Sequence, residues 1–170
     1  LSIEGGFGKL VIGENDSVAD DYAISADDLA GESEAPTVAS ASIGTSTDIE
    51  LSDGDLNKVS YHLPAMGGFT GGASFTDSGE VGSTDTTSFG FNYELESGGN
   101  TVTFGASSST TEATTTDTDA QIIGLKVMSG NLTFVASQTA YEAVDEDIET
   151  TGAGVSYQMA SGMVLAAYTM

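Results

Sequence analysis

The chain has 170 residues and a formal net charge of −23, from 26 acidic residues set against three lysines, with no arginine and no cysteine. That charge repels nucleic acid and anionic lipid heads and attracts cations, and the missing thiols exclude a disulfide framework and a thiolate metal site. Glycine is frequent (22), proline scarce (2) and only 39% of residues are hydrophobic, but the apolar residues recur in short alternating runs, which excludes simple disorder.

In chain order, residues 1–4 read as the end of a strand and Phe7–Gly13, after Gly5-Gly6, as a second. From Glu14 to Asn57 no strong alternation appears. Within it, the Ala-rich stretch 17–31 predicts a short helical turn with Gly31 as its stop. Period-two alternation then resumes. Val59, Tyr61, Leu63 and Ala65 share one face, as do Phe69, Gly71, Ala73 and Phe75. The same holds for Phe89, Phe91, Tyr93 and Leu95, for Val102, Phe104 and Ala106, and for Ala153, Val155, Tyr157 and Met159. Segments 121–128, 131–141 and 163–170 are also strand-like, but Ile122, Val135 and Leu165 fall out of phase.

The connections alternate as well. Tight turns are predicted at Met66-Gly67-Gly68, Ser97-Gly98-Gly99-Asn100, Gly130-Asn131 and Ser161-Gly162, and longer polar loops at 77–86, 110–120 and 142–150. Short turns on one side and long loops on the other is the layout of an up-and-down barrel in an outer membrane. Strands of about 8–11 residues suit a tilted crossing, which needs about 9–11. No run approaches the roughly 18 apolar residues of a membrane helix. The expected fold is therefore all-β: an antiparallel up-and-down transmembrane β-barrel. One face of each strand would meet lipid, because lipid cannot hydrogen-bond an open sheet edge. The other face, rich in Gly, Ser and Thr, would line water. Tyr61, Tyr93, Tyr157 and Tyr168 are candidates for interfacial aromatic girdles.

Two segments resemble a known family. Phe7-Gly8-Lys9-Leu10-Val11-Ile12-Gly13 resembles the strand that leads into the constriction loop of the general porins of Gram-negative outer membranes. Asn57-Lys58-Val59-Ser60-Tyr61-His62-Leu63-Pro64, with Gly67-Gly68-Phe69 and Ala73-Ser74-Phe75, resembles the hairpin that follows that loop. The family's usual Arg in that hairpin is absent, and so is its Pro-Glu-Phe-Gly-Gly-like loop signature. The resemblance implies a 16-stranded trimeric barrel whose third external loop folds inward and narrows the pore. The chain supplies the end of one strand and about nine more, so residues 1–170 are expected to form part of a single barrel domain, cut at both ends, with 15–56 as the constriction loop.

Every charged residue from Glu14 to Asp55 is acidic. Folded into a lumen, these residues would set up a negative field focused by low-dielectric walls. The expectation is a passive diffusion channel for small hydrophilic solutes and ions, preferring cations. Asp20, Asp21, Asp27 and Asp28 lead the candidates for its narrowing, joined by Asp16, Glu32 and Glu34, with Lys58 and Lys126 facing them from the wall. Outer-membrane lipid and lipopolysaccharide would surround a homotrimer, and no nucleic acid would bind. The rival class is an acidic secreted all-β adhesin or surface-layer module binding Ca²⁺. Asp53-Gly54-Asp55, Asp117-Thr118-Asp119 and Asp145-Glu146-Asp147 are where Ca²⁺ would bind weakly, although none has the spacing of a dedicated loop. No other cofactor is expected. His62 has neither a second His nor a Cys to build a catalytic triad or a zinc site, so no enzyme is expected.

Overall fold

The structure, a computed structural model, describes residues 1–26, 29, 57–77, 84–112, 117–160, 162 and 164–169. Ten strands follow in chain order: β1 (Ser2–Gly5), β2 (Gly8–Glu14), β3 (Asn57–His62), β4 (Phe69–Thr76), β5 (Asp85–Ser97), β6 (Asn100–Glu112), β7 (Thr118–Ser129), β8 (Leu132–Ala143), β9 (Glu146–Gln158) and β10 (Val164–Thr169). Each pairs antiparallel with its sequence neighbours in one up-and-down sheet that is not closed, with β1 and β10 at its edges. This is part of a barrel, as the alternation predicts.

Register fixes the two faces, because directly paired residues point the same way. On the outer face, Ile12 pairs with Val59 and Val59 with Phe75. Tyr93 pairs with Phe104, Phe104 with Leu125, and Leu125 with Ala136. Val127 pairs with Phe134 and Phe134 with Val155. Rings join across strands, with Phe69 stacked on Phe91 at 5.9 Å and Phe91 tilted against Phe104 at 6.1 Å. These side chains are exposed: Phe89 by 57% and Phe134 by 47%. An apolar band of this extent exceeds what a water-soluble monomer presents, and at about 25 cal/mol per Å² its hydration would be costly. A compact sandwich would have sealed these residues inside.

On the inner face small hydroxyls predominate. Ser60, Ser74, Ser88 and Ser109 are buried there, and the Ser88 and Ser109 hydroxyls meet at 3.2 Å across the β5–β6 ladder. Leu165 lies level with Tyr157 on the outer face. Tyr168 pairs with Gly154 on the inner face, so it cannot join an outer girdle with Tyr61, Tyr93 and Tyr157.

Two expectations on length are corrected. β5, β6 and β9 run 13 residues each, longer than predicted. The predicted loop 142–150 is a tight turn at Val144 and Asp145, with strand on both sides, and the 110–120 loop shrinks because β6 continues to Glu112 and β7 starts at Thr118. Thr and Glu runs look like loop, but β-branched Thr continues a strand readily once it has left the hydrocarbon layer. At the other end the tight turns at Met66-Gly67-Gly68, Ser97-Gly98-Gly99-Asn100 and Gly130-Asn131 stand as predicted, while Ser161 of the fourth lies outside the described residues; Gly98 and Gly99, with φ of 61° and 81°, supply the left-handed conformations a two-residue hairpin needs.

The apolar residues buried in the described structure do not form a barrel core. Val18, Ala19, Ile24, Ala26 and Leu29 belong to the segment after β2, and Ala120, Ile122 and Val135 to the wall beneath it.

Candidate functional site

After β2 the chain turns onto the inner face and crosses the strands. Asn15 donates to the Ser60 hydroxyl at 2.8 Å. Ser17 then caps a short helix, α1 (Val18–Tyr22), its hydroxyl accepting from the Asp20 amide at 3.1 Å. The Val18 amide donates to Ser74 on β4 at 3.0 Å. The helix ends at Ala23, which is extended, well before Gly31; Gly31 itself lies outside the described residues. Ala23 ends it because the following residues must lie flat on the wall: Ile24, Ala26 and Leu29 are all buried.

A track of glycines makes that possible. A Cβ at Gly90 would come within 2.8 Å of the Tyr22 Cβ, one at Gly124 within 2.5 Å of the Ile24 Cβ, and one at Gly154 within 2.5 Å of Leu29 Cδ1. Gly72 pairs with Gly90 and Gly105 with Gly124, so the track runs across neighbouring strands. Ile122 and Val135, out of phase in the sequence, flank it: Ile122 clusters with Ala19 and Ala120, and Val135 with Ile24, Ala26 and Leu29. Burying Val18, Ile24 and Leu29 stabilises the crossing by roughly 1.5–3 kcal/mol each.

The segment carries acid and the wall opposite carries base. The Asp21 carboxylate sits 3.8 Å from His62 Nε2, and the Tyr22 hydroxyl lies 3.2 Å from His62 Nδ1. With the imidazole proton on Nε2, aimed at Asp21, the Tyr22 hydroxyl donates to Nδ1 and both contacts are favourable. With its amide oriented so that the nitrogen faces the helix end, Asn92 donates to the Tyr22 carbonyl at 2.9 Å. Burial raises the Asp21 pKa above its ordinary 3.8, and nearby Asp16 adds to the rise; His62, Lys9 and Lys58 pull it down. Burial also raises that of Tyr22, helped by the Asp21 charge.

Of the sequence candidates, Asp16, Asp20 and Asp21 lie on this segment, and Lys58 is buried on β3 within electrostatic reach of Asp21. Asp27, Asp28, Glu32 and Glu34 lie outside the described residues. Lys126 is on the same inner face, level with Thr103 and Val135, but at the other end of the crossing, beside Ile24 and Leu29. Sequence reasoning did not single out Lys9. It pairs with His62, so all three lysines of the chain and its only histidine share the inner face. The β2 alternation carried that signal: Lys9 is opposite in phase to Leu10 and Ile12.

Among the described residues no group of three or more acidic or histidine side chains is arranged to hold a metal. Of the Ca²⁺ candidates, Asp53-Gly54-Asp55 lies outside the described residues. Asp119 accepts from the Thr110 hydroxyl at 2.6 Å across the β6–β7 ladder. No described helix is long and apolar enough to cross a membrane.

The family model for Gram-negative porins matches residues 1–170, the whole chain. The chain belongs to the Gram-negative porin family. No curated protein and no solved structure matches it. Membership places this porin in the outer membrane of a Gram-negative bacterium and makes it an outer-membrane channel, in a family of channels and not of enzymes. The apolar outer band is then the lipid-facing surface, and the Ser-, Thr- and Gly-rich inner face the wall of the water-filled side.

Proposed function

We propose that this porin is a passive diffusion channel for small hydrophilic solutes and ions, that the segment after β2 narrows it, and that the narrowing prefers cations. One observation carries the reading: an acidic segment bearing Asp16, Asp20 and Asp21 lies across the inner face of the sheet, held there by apolar contacts and a glycine track. Fixed carboxylates beside low-dielectric walls concentrate cations and exclude anions. Asp27, Asp28, Glu32 and Glu34 continue the same acidic run and belong to the same proposal. Lys9, Lys58 and His62 face the acids from the wall, so the field acts across the passage as well as along it. Lys126 stands apart on the wall, beyond the acids of α1.

Zero-current potentials across a planar bilayer in a KCl gradient test the preference. K⁺ should be favoured, and neutralising Asp20 and Asp21 together should reduce the preference; an anion-preferring channel would overturn it. A homotrimer within lipid and lipopolysaccharide is part of the proposal, supported by the family resemblance, and mass measurement of the detergent-extracted protein would check it.

A further inference from the structure

Between the inward segment and the tight-turn end of the sheet, the inner wall holds a cavity of about 430 Å³. Ile24 and Leu29 of the segment roof it, and Lys126, Met128, Val135 and Gln158 are among its wall residues. Its size falls within the roughly 300–1,000 Å³ of small-molecule sites.

The lining has an unusual balance for so acidic a chain. Lys126 is the cavity's single charged residue among the described ones, and the other polar groups there are neutral hydroxyls and amides. Lys126 makes no ion pair with any described residue. Among the described lining residues nothing pairs with a cation, and a small inorganic anion would gain the ammonium but leave the apolar surface of Ile24, Leu29, Met128 and Val135 uncovered. A molecule with a carboxylate at one end and an apolar body at the other satisfies both.

We propose that this cavity binds small amphipathic carboxylates, Lys126 holding the carboxylate and the four apolar side chains taking the body. The inference rests on the inner face lining an aqueous channel, but not on the cation preference. The cavity lies on the tight-turn side of the acidic segment, so a carboxylate entering from that side reaches Lys126 without passing the acids of α1. Binding is therefore one-sided.

Planar-bilayer recordings of the full-length protein with benzoate as the probe test this. Benzoate on the tight-turn side should cause concentration-dependent interruptions of the current, and on the other side far fewer. Lys126→Met should weaken the block about tenfold, the loss of one charge-assisted contact. Acetate, which has the charge without the body, and benzyl alcohol, which has the body without the charge, should both block weakly. Equal block by Lys126→Met and the natural protein, or by acetate and benzoate, overturns the proposal. Current in KCl alone reports the channel itself, so a silent bilayer counts against the channel reading and not against the site. The ¹⁹F linewidth of 4-fluorobenzoate with detergent-solubilised protein then decides binding directly. Broadening lost in Lys126→Met supports the site; broadening that persists in it, or is absent from both proteins, overturns it.

Discussion

Ile122 and Ile123 are adjacent on β7, yet Ile122 is 3% exposed beneath Ala19 while Ile123 is 53% exposed on the outer band. In a soluble sheet one of the two would simply be misplaced. In this porin each is buried, Ile123 by lipid and Ile122 by the chain's own inward segment. An apolar residue on the water side of a barrel thus marks a place where something from inside covers the wall. Val135 repeats the lesson one strand away, under Ile24 and Leu29.

Substitutions should separate the two burials. Ile123→Arg puts a charge into hydrocarbon and should destabilise the folded protein in lipid vesicles by about 2–4 kcal/mol if it lies near the bilayer midplane, read by denaturant titration. Ile122→Arg should leave insertion nearly intact while loosening the segment. If both variants lose insertion equally, the two faces do not differ as described. Gly124→Val strikes the docking alone: overpacking against Ile24 should cost about 1–3 kcal/mol, raise single-channel conductance and expose residues 15–26 to protease. An unchanged conductance and cleavage pattern would mean that the track does not hold the segment. Smaller still is Tyr22→Phe, which removes one hydrogen bond to His62 and should shift the docking equilibrium by about 0.5–1.5 kcal/mol, visible as a modest rise in proteolysis.

The pH dependence sharpens the contrast between holding the segment and charging it. Burial first, then Asp16, raises the Asp21 pKa, so Asp21 gains its proton at a pH above the ordinary 3.8. Cation preference should therefore begin to fall, as pH drops, before ordinary carboxylates titrate. The docking contribution runs the other way. A raised pKa means the protonated form suits the folded site better, so that contribution is full at low pH and is lost as pH rises through the folded value. Acidification should lower selectivity without releasing the segment, and Asp21→Asn should remove the early phase of the fall. Release of the segment on acidification would contradict this.

Much of the fold was legible because a barrel strand must satisfy two solvents at once, and Phe89-Gly90-Phe91-Asn92-Tyr93 spells that out residue by residue. The hairpin turns were legible where glycine marked them, as at Gly98 and Gly99. Strand ends were not: beyond the hydrocarbon layer both faces are wet, alternation stops, and 142–150 reads as loop although it is strand around a two-residue turn. The inward segment was legible in its acidity and in its short helix but not in its anchorage. Its anchor is scattered over Gly90, Gly105, Ile122, Gly124 and Val135, which only strand pairing brings together. Lys9 escaped for the same reason, since its partner His62 lies across a long connection.

A cysteine-free chain permits the most direct test of the two faces. Single cysteines at Thr101 and Thr133 on the inner face, and at Phe104 and Phe134 on the outer, would be exposed in lipid vesicles to a membrane-impermeant maleimide. The inner pair should label and the outer pair should not, while fluorophores attached at the outer pair before insertion should be quenched by brominated lipid. Equal aqueous labelling at all four positions would contradict the assignment of the Phe-rich face to lipid.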